Sequence, residues 1–121
     1  AWRTALQMIT LVLVIVVAWL AFKPSGGPEA GLPWDKANHA AAFAVLTGVS
    51  ALGWPRLGFG RLAVIMLTAG VVIELIQGLP VVGRDADGWD VAADMAGVSL
   101  GWLGAWILRA VASCARFRVK T

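Results

Sequence analysis

Four apolar segments, separated by short polar stretches, dominate the pattern of the chain. The first runs from Ala5 to Phe22 without a charge for eighteen residues, about the length that an α-helix needs to cross the hydrocarbon of a bilayer. A cleaved signal peptide is the competing interpretation, but this run is longer than the apolar part of a typical signal and no A-x-A site follows it. The pattern predicts helices at about residues 2–22, 34–52, 61–79 and 90–111.

Three breaks rich in proline and glycine separate these helices: Lys23–Pro33, Gly53–Gly60 and Val81–Trp89. The short second break predicts that the second and third helices are antiparallel neighbours. A chain of 121 residues that is 60% hydrophobic and 14% charged, with a mean hydropathy of +0.80, is not an ordinary soluble domain. We therefore expect a single all-α integral membrane domain, a four-helix bundle, over residues 1–121.

The charged residues are distributed unequally between the two ends of the predicted helices. Seven of the ten Lys and Arg residues lie on or near the side of the predicted bundle that holds the N-terminus, the second break and the C-terminus, and the acidic residues lie on or near the opposite side. The positive-inside rule then places both termini in the cytoplasm. A pI of 9.8 is also typical of nucleic-acid-binding proteins. Because the bases are scattered singly, membrane-loop charge explains them better, and no nucleic-acid partner is expected.

Small residues recur every four positions in two of the predicted helices. Ala40, Ala44 and Gly48 share a face of the second helix, and Gly97 and Gly101 share a face of the fourth. Such faces let two helix backbones approach closely within a membrane. We expect Gly97 and Gly101 to be helix-packing positions rather than ligand contacts.

Three ionisable side chains have a similar predicted depth in three different helices. His39, Glu74 and Asp94 each lie roughly 6 to 7 Å from the outer end of their helix, at a rise of ~1.5 Å per residue. A charge that faces lipid is costly, so these groups should point inward and toward one another. We expect them to form one polar site that is open to the outer face. The predicted rim of this site consists of Asp35, Lys36, Gln77, Arg84 and Asp90.

Several of these residues also have a purely structural interpretation. Asp35 and Asp90 fit the role of helix N-caps, and Arg84 lies among ordinary turn residues. A lone histidine such as His39 on an Ala-rich face is usually structural, although its agreement in depth with two carboxylates favours a site. Glu74 is the hardest to explain structurally, because an intramembrane carboxylate indicates function by default.

The same residues form an ordered set of motifs: Asp35-Lys36-x-x-His39-x-x-x-Phe43-x-x-Leu46, Glu74-x-x-Gln77, Arg84, and Asp90-x-x-x-Asp94-x-x-Gly97-x-x-x-Gly101. The set covers more than half of the chain and resembles the VanZ-like family of small bacterial membrane proteins, named for a teicoplanin-resistance protein. Asp94 departs from the family, which more often has Asn there, and adds a negative charge. The resemblance implies a four-helix layout in the bacterial cytoplasmic membrane and a link to the cell envelope and glycopeptide resistance. It implies no settled reaction.

Three functions fit this pattern. The first is binding of a membrane lipid headgroup or a lipid-linked envelope intermediate, because the N-termini of the second and fourth helices, with Lys36 and Arg84, favour anions. The second is a membrane-embedded hydrolase or transferase that acts on a lipid phosphate. Its candidate catalytic residues are His39, Glu74 and Asp94, as acid–base groups or as ligands of a divalent ion. The third is a non-catalytic structural partner of a larger membrane complex. The pattern predicts neither a resident metal nor a cofactor, and it leaves open whether the protein is an enzyme.

Overall fold

The chain forms four α-helices in the part that the computed structural model describes, which comprises residues 1–22, 35–80 and 88–120. These helices are α1 (Trp2–Phe22), α2 (Asp35–Gly53), α3 (Phe59–Gln77) and α4 (Gly88–Lys120). The all-α class predicted from the sequence is thereby confirmed. Helices α1, α2 and α3 begin and end within two residues of the predicted positions.

The predicted end of the fourth helix at about Val111 is wrong, because α4 continues to Lys120 and contains 33 residues. Residues 105–120 contain no Gly or Pro and include several strong helix formers. Nothing in the sequence therefore stops the helix at the membrane boundary. At ~1.5 Å per residue α4 is about 50 Å long, which exceeds the ~30 Å thickness of a bilayer's hydrocarbon core.

Three helices are long and apolar enough to cross a membrane, over Trp2–Leu20, Phe59–Gln77 and Gly88–Val119. Helix α2 is a shorter apolar helix, over Ala37–Gly53, so three helices rather than the expected four meet this standard within the described residues. The outward faces are also apolar, since Ile15, Val64 and Trp106 are all more than half exposed. An apolar exterior of this extent, on helices of this length, indicates a membrane protein.

Helices α2 and α4 run parallel and form the most extensive helix contact among the described residues. His39 lies beside Asp94 near one end of the pair, and Ala51 lies beside Arg109 near the other, so residue numbers increase in the same direction along both helices. The buried apolar core comprises Phe43, Leu46, Ala51, Leu62, Met66, Val98 and Ala105. These residues belong to α2, α3 and α4, which places the core among those three helices.

Helices α1 and α3 run in the opposite direction to this pair. The Gln7 amide at the start of α1 donates a 3.0 Å hydrogen bond to the carbonyl oxygen of Gly53 at the end of α2. The ring of Phe59 at the start of α3 lies 5.4 Å from that of Trp102 in α4. Although a short turn joins α2 to α3, these two helices contact each other only slightly, whereas α4 contacts both. The second and third helices are therefore antiparallel, as expected, but they pack against each other only slightly. The reason is that α4 occupies the small-residue face of α2.

Glycines make the contact between α2 and α4 possible. A Cβ atom on Gly97 would lie 2.9 Å from the carbonyl carbon of Ala40, and closer still to its oxygen. A Cβ atom on Gly101 would meet Ala44 in the same way, with 2.9 Å to the carbonyl carbon. Gly104 differs, since no described atom lies within 4 Å of the same position. Any side chain at the first two glycines would force the two backbones apart.

We expect Gly101→Ala to destabilise the fold and Gly104→Ala to leave it unchanged or slightly more stable. The methyl group at the first position meets the backbone of Ala44, and overpacking of this kind costs about 1–3 kcal/mol. The methyl group at the second position enters open space and gains up to about 1 kcal/mol from the higher helix propensity of alanine. Denaturant unfolding of the purified chain in detergent, followed by circular dichroism, measures both. Equal stability of the two variants would contradict the close contact.

Candidate functional site

Four ionisable side chains from three helices meet at one end of the bundle, and we call them the carboxylate–histidine cluster: His39 of α2, Glu74 of α3, and Asp90 and Asp94 of α4. The Nδ1 atom of His39 lies 2.9 Å from Asp94 Oδ1 and 4.0 Å from Glu74 Oε1. The other ring nitrogen, Nε2, lies 3.7 Å from Asp90 Oδ2. The four side chains are 9%, 7%, 5% and 0% exposed in the order given above. The cluster is therefore polar, ionisable and almost fully buried.

The ends of three helices bring these side chains together. His39 lies in the second turn of α2, and Asp90 lies in the first turn of α4, where the helix dipole stabilises a negative charge. Glu74 begins the last turn of α3, and its backbone oxygen accepts a 3.1 Å hydrogen bond from the N–H of Gly78. Because α2 and α4 are parallel to each other and antiparallel to α3, two N-termini and one C-terminus lie at the same end of the bundle.

The contact between His39 and Asp94 sets the state of the imidazole ring. With Asp94 ionised, its Oδ1 atom can only accept, so Nδ1 carries a proton and donates it across 2.9 Å. In the neutral ring, the lone pair then lies on Nε2. Asp90 Oδ2 faces this nitrogen at 3.7 Å, which is longer than a hydrogen bond. The two groups are thus placed to share a proton or a cation.

Gly70 of α3 contributes space to the site, because the absence of a side chain leaves room for the Asp94 carboxylate. A Cβ atom there would lie 2.7 Å from Asp94 Oδ2, so glycine provides the space that this carboxylate occupies. Gly70 lies on the buried face of α3 together with Glu74 and Gln77. This role of Gly70 was not predicted from the sequence, although the spacing of four from Glu74 places both residues on one helical face.

The structure brings together four of the predicted site residues: His39, Glu74, Asp90 and Asp94. Asp90 was expected at the rim but is buried beside His39, because it lies one helical turn before Asp94 on the same face of α4. Gln77 is also buried, on the cluster's side of α3.

Three predicted rim residues are not placed in the site. Helix α2 begins at Asp35, where the sequence predicts its N-terminus. The side chains of Asp35 and Lys36 lie outside what the structure describes, and Arg84 lies outside the described residues altogether.

Arg109 forms a second polar contact, at the opposite end of the helix pair. Its guanidinium donates a hydrogen bond to the carbonyl oxygen of Ala51 in the last turn of α2, and it lies 5.9 Å from the ring centroid of Trp102. A cation suits the negative end of a helix dipole. This contact of Arg109 was not predicted from the sequence, although Arg109 continues the series Gly97, Gly101 and Ala105 at spacing four. That spacing was the available signal that it faces α2.

The cluster can perform three kinds of chemistry. Its carboxylates accept hydrogen bonds from hydroxyl or ammonium groups. Its imidazole can transfer a proton, since histidine titrates near neutral pH. Its nitrogen and oxygen atoms can also ligate a cation. In all three kinds of chemistry, the carboxylate oxygens or a ring nitrogen interact with a group that carries a proton or a positive charge.

Comparison of the chain with protein-family models, with curated proteins and with solved structures gave no match.

We expect Gly70→Ala to displace the Asp94 carboxylate and weaken its hydrogen bond to His39. The added methyl group would overlap Oδ2, and Asp94 is too buried to move away freely. The chain contains one histidine, so ¹⁵N NMR of histidine-labelled protein reports on this ring alone. In the native protein Nδ1 should carry the proton, and in the variant this preference should be lost.

Gly60→Ala is the matched control, because it makes the same change on the same helix where nothing described lies within 4 Å. Its histidine spectrum should equal that of the native protein. A native spectrum for Gly70→Ala as well would show that the carboxylate does not depend on this space.

Proposed function

We propose that this chain is a multi-pass protein of the bacterial cytoplasmic membrane that binds, at the carboxylate–histidine cluster, the polar headgroup of a membrane lipid or of a lipid-linked envelope intermediate. The supporting observation is that four ionisable side chains, none more than 9% exposed, gather in a bundle with apolar outer faces. Ionisable groups within a membrane are costly and are retained chiefly where function requires them. The cluster is therefore the part of the molecule to which we assign the binding.

The level of the cluster in the bundle suits a headgroup. His39 is four residues from the first residue of α2, and Glu74 is three residues from the last residue of α3. At ~1.5 Å per residue, each lies about 5–6 Å from a helix end. A headgroup can reach this level without carrying its polar atoms to the centre of the hydrocarbon core.

The chemistry of this end suits a headgroup that combines a phosphate with hydroxyl or ammonium groups. The carboxylates accept hydrogen bonds from hydroxyl and ammonium donors. The N-termini of α2 and α4 lie at the same end, and their dipoles favour phosphate oxygens. Lys36, in the first turn of α2, and Arg84, between α3 and α4 in the chain, are predicted to add positive charge to the rim.

The charge distribution and the resemblance in sequence extend the proposal to orientation and biology. Seven of the ten bases lie in segments at the opposite end from the cluster, so the positive-inside rule puts the cluster at the outer face. The motifs that resemble the VanZ-like family include His39 and Glu74, whereas Asp94 stands where that family more often has Asn. We accordingly connect the headgroup site with the cell envelope and with glycopeptide resistance.

The orientation predicts the behaviour of two reporter fusions. A reporter that works only outside the cytoplasm should be silent when fused after Thr121, and active when inserted between residues 81 and 87. The reason is that the C-terminal tail is basic, whereas the second segment joins α3 to α4 at the acidic end. The opposite pattern of activity would reverse the orientation.

We expect Glu74→Gln to reduce the amount of bound lipid at least tenfold while leaving the fold intact. The change keeps the size of the side chain but removes its charge, and a hydrogen bond to a charged group is worth about 1.5–3 kcal/mol, or about 10- to 100-fold in affinity. Native mass spectrometry of protein purified from its own membrane measures the bound lipid. Ser99→Ala is the control, because it removes a polar group from the exposed face of α4, where the hydroxyl bonds to the oxygen of Met95.

The same proposal is tested in the cell by complementation. Glu74→Gln and His39→Ala should insert and fold, yet fail to restore the phenotype of the deletion strain, of which teicoplanin sensitivity is the first to score. Full complementation by both variants, with native amounts of bound lipid, would contradict headgroup binding. The structural-partner interpretation would then be favoured.

A further inference from the structure

Three residues of the cluster have the geometry of a metal site. His39, Glu74 and Asp90 can each offer one ligand atom such that all three atoms lie within 4.8 Å of one another. Bonds from nitrogen and oxygen ligands to Zn²⁺ are about 2.0–2.2 Å long, so two ligands of one ion are at most about 4.4 Å apart. The observed spacing is therefore within a small side-chain rotation of coordination. The ligands come from α2, α3 and α4, so an ion would tie three helices together.

The hydrogen bond from His39 to Asp94 supplies the orientation that metal sites require. A metal-binding histidine almost always donates its other ring N–H to a carboxylate or carbonyl, which fixes the tautomer and aims the remaining nitrogen at the ion. Here Nδ1 is 2.9 Å from Asp94 Oδ1, which leaves Nε2 facing Asp90 Oδ2 at 3.7 Å. Asp90 therefore lies on the side of the ring where an ion bound to Nε2 would be.

We propose that the carboxylate–histidine cluster binds one divalent transition-metal ion through His39 Nε2 and the carboxylates of Glu74 and Asp90, with Asp94 as a positioning residue. One imidazole with two carboxylates is a ligand set of the Zn²⁺ or Mn²⁺ class, since Mg²⁺ and Ca²⁺ prefer oxygen ligands alone. Three protein ligands leave a coordination position open to water or to an oxygen of another molecule. This inference goes beyond headgroup binding and does not require it, because the ion alone is the probe.

The test is a metal titration of the full-length chain in detergent after treatment with a chelator. Mn²⁺ is added and the free ion is measured by electron paramagnetic resonance, and Zn²⁺ is then added as a competitor. The native protein should bind one ion per chain. Binding should weaken at least tenfold in each of the three ligand variants, His39→Gln, Glu74→Gln and Asp90→Asn. It should weaken about 10-fold in Asp94→Asn, as is typical when the hydrogen-bond partner of a metal ligand is changed.

Glu29→Gln is the matched control, because it makes the same chemical change as Glu74→Gln in the segment between α1 and α2. It should bind Mn²⁺ as the native protein does. Should a cluster variant fail to fold, ¹⁵N NMR of the single histidine in the native chain still decides the matter. One equivalent of Zn²⁺ should shift the Nε2 resonance while Nδ1 keeps its proton.

Two results would overturn the proposal. The first is that fewer than one ion binds per chain and the His39 resonances do not change. The second is that the cluster variants and Glu29→Gln reduce binding equally. The second result would identify ions that are held without the cluster. The headgroup proposal is judged separately, by the lipid that remains bound after chelation. Lipid that stays bound to a metal-free protein supports the headgroup site alone, and metal binding in a lipid-free protein supports the ion site alone.

Discussion

The close parallel contact between α2 and α4 is the constraint on which the rest of the structure depends. Lipid is as apolar as the helices themselves, so helices in a membrane associate through close packing and polar contacts rather than through the hydrophobic effect. Gly97 and Gly101 provide that packing, because a Cβ atom at either position would overlap the backbone of Ala40 or Ala44. The contact fixes the relative height and rotation of the two helices. This register determines which other residues of α2 and α4 face each other.

The position of the cluster follows from the register. Asp94 lies three residues before the first packing glycine, and His39 lies directly before the alanine that this glycine contacts. Close packing of the two backbones therefore brings His39 Nδ1 to within 2.9 Å of Asp94 Oδ1. Helix α3 completes the group from the other direction, with Gly70 providing space for Asp94 and Glu74 approaching the ring. The site is thus a consequence of helix packing, and a loss of packing removes it without any change to its own residues.

Local features of this fold could be predicted from the sequence, whereas the choice of helix partners could not. Helical segments and their small or polar faces follow from periodicity along a single stretch of chain. The pairing of α2 with α4 depends on how faces from distant segments fit, and the short connection pointed instead to α2 and α3. The role of Gly70 required knowing which residue of α3 faces Asp94. The end of α4 was missed for a different reason, because bilayer thickness limits the span in lipid but does not stop a helix that lacks Gly and Pro.

The two ends of the α2 and α4 pair carry opposite charges, and the comparison between them argues for a ligand at the acidic end. At the basic end, the guanidinium of Arg109 donates a hydrogen bond to a carbonyl in the last turn of α2, where a cation suits the negative end of the helix dipole. At the acidic end, the partial charges of the N-termini of α2 and α4 and of the C-termini of α1 and α3 largely cancel. A fully charged cluster, with three carboxylates and one imidazolium, carries two negative charges that the helix dipoles do not offset. Asp94 Oδ1 lies 2.9 Å from the His39 ring, whereas Glu74 and Asp90 lie 4.0 Å and 3.7 Å from it. The negative charge of a fully ionised cluster is what a proton, a base of the rim or the cationic group of a ligand would balance.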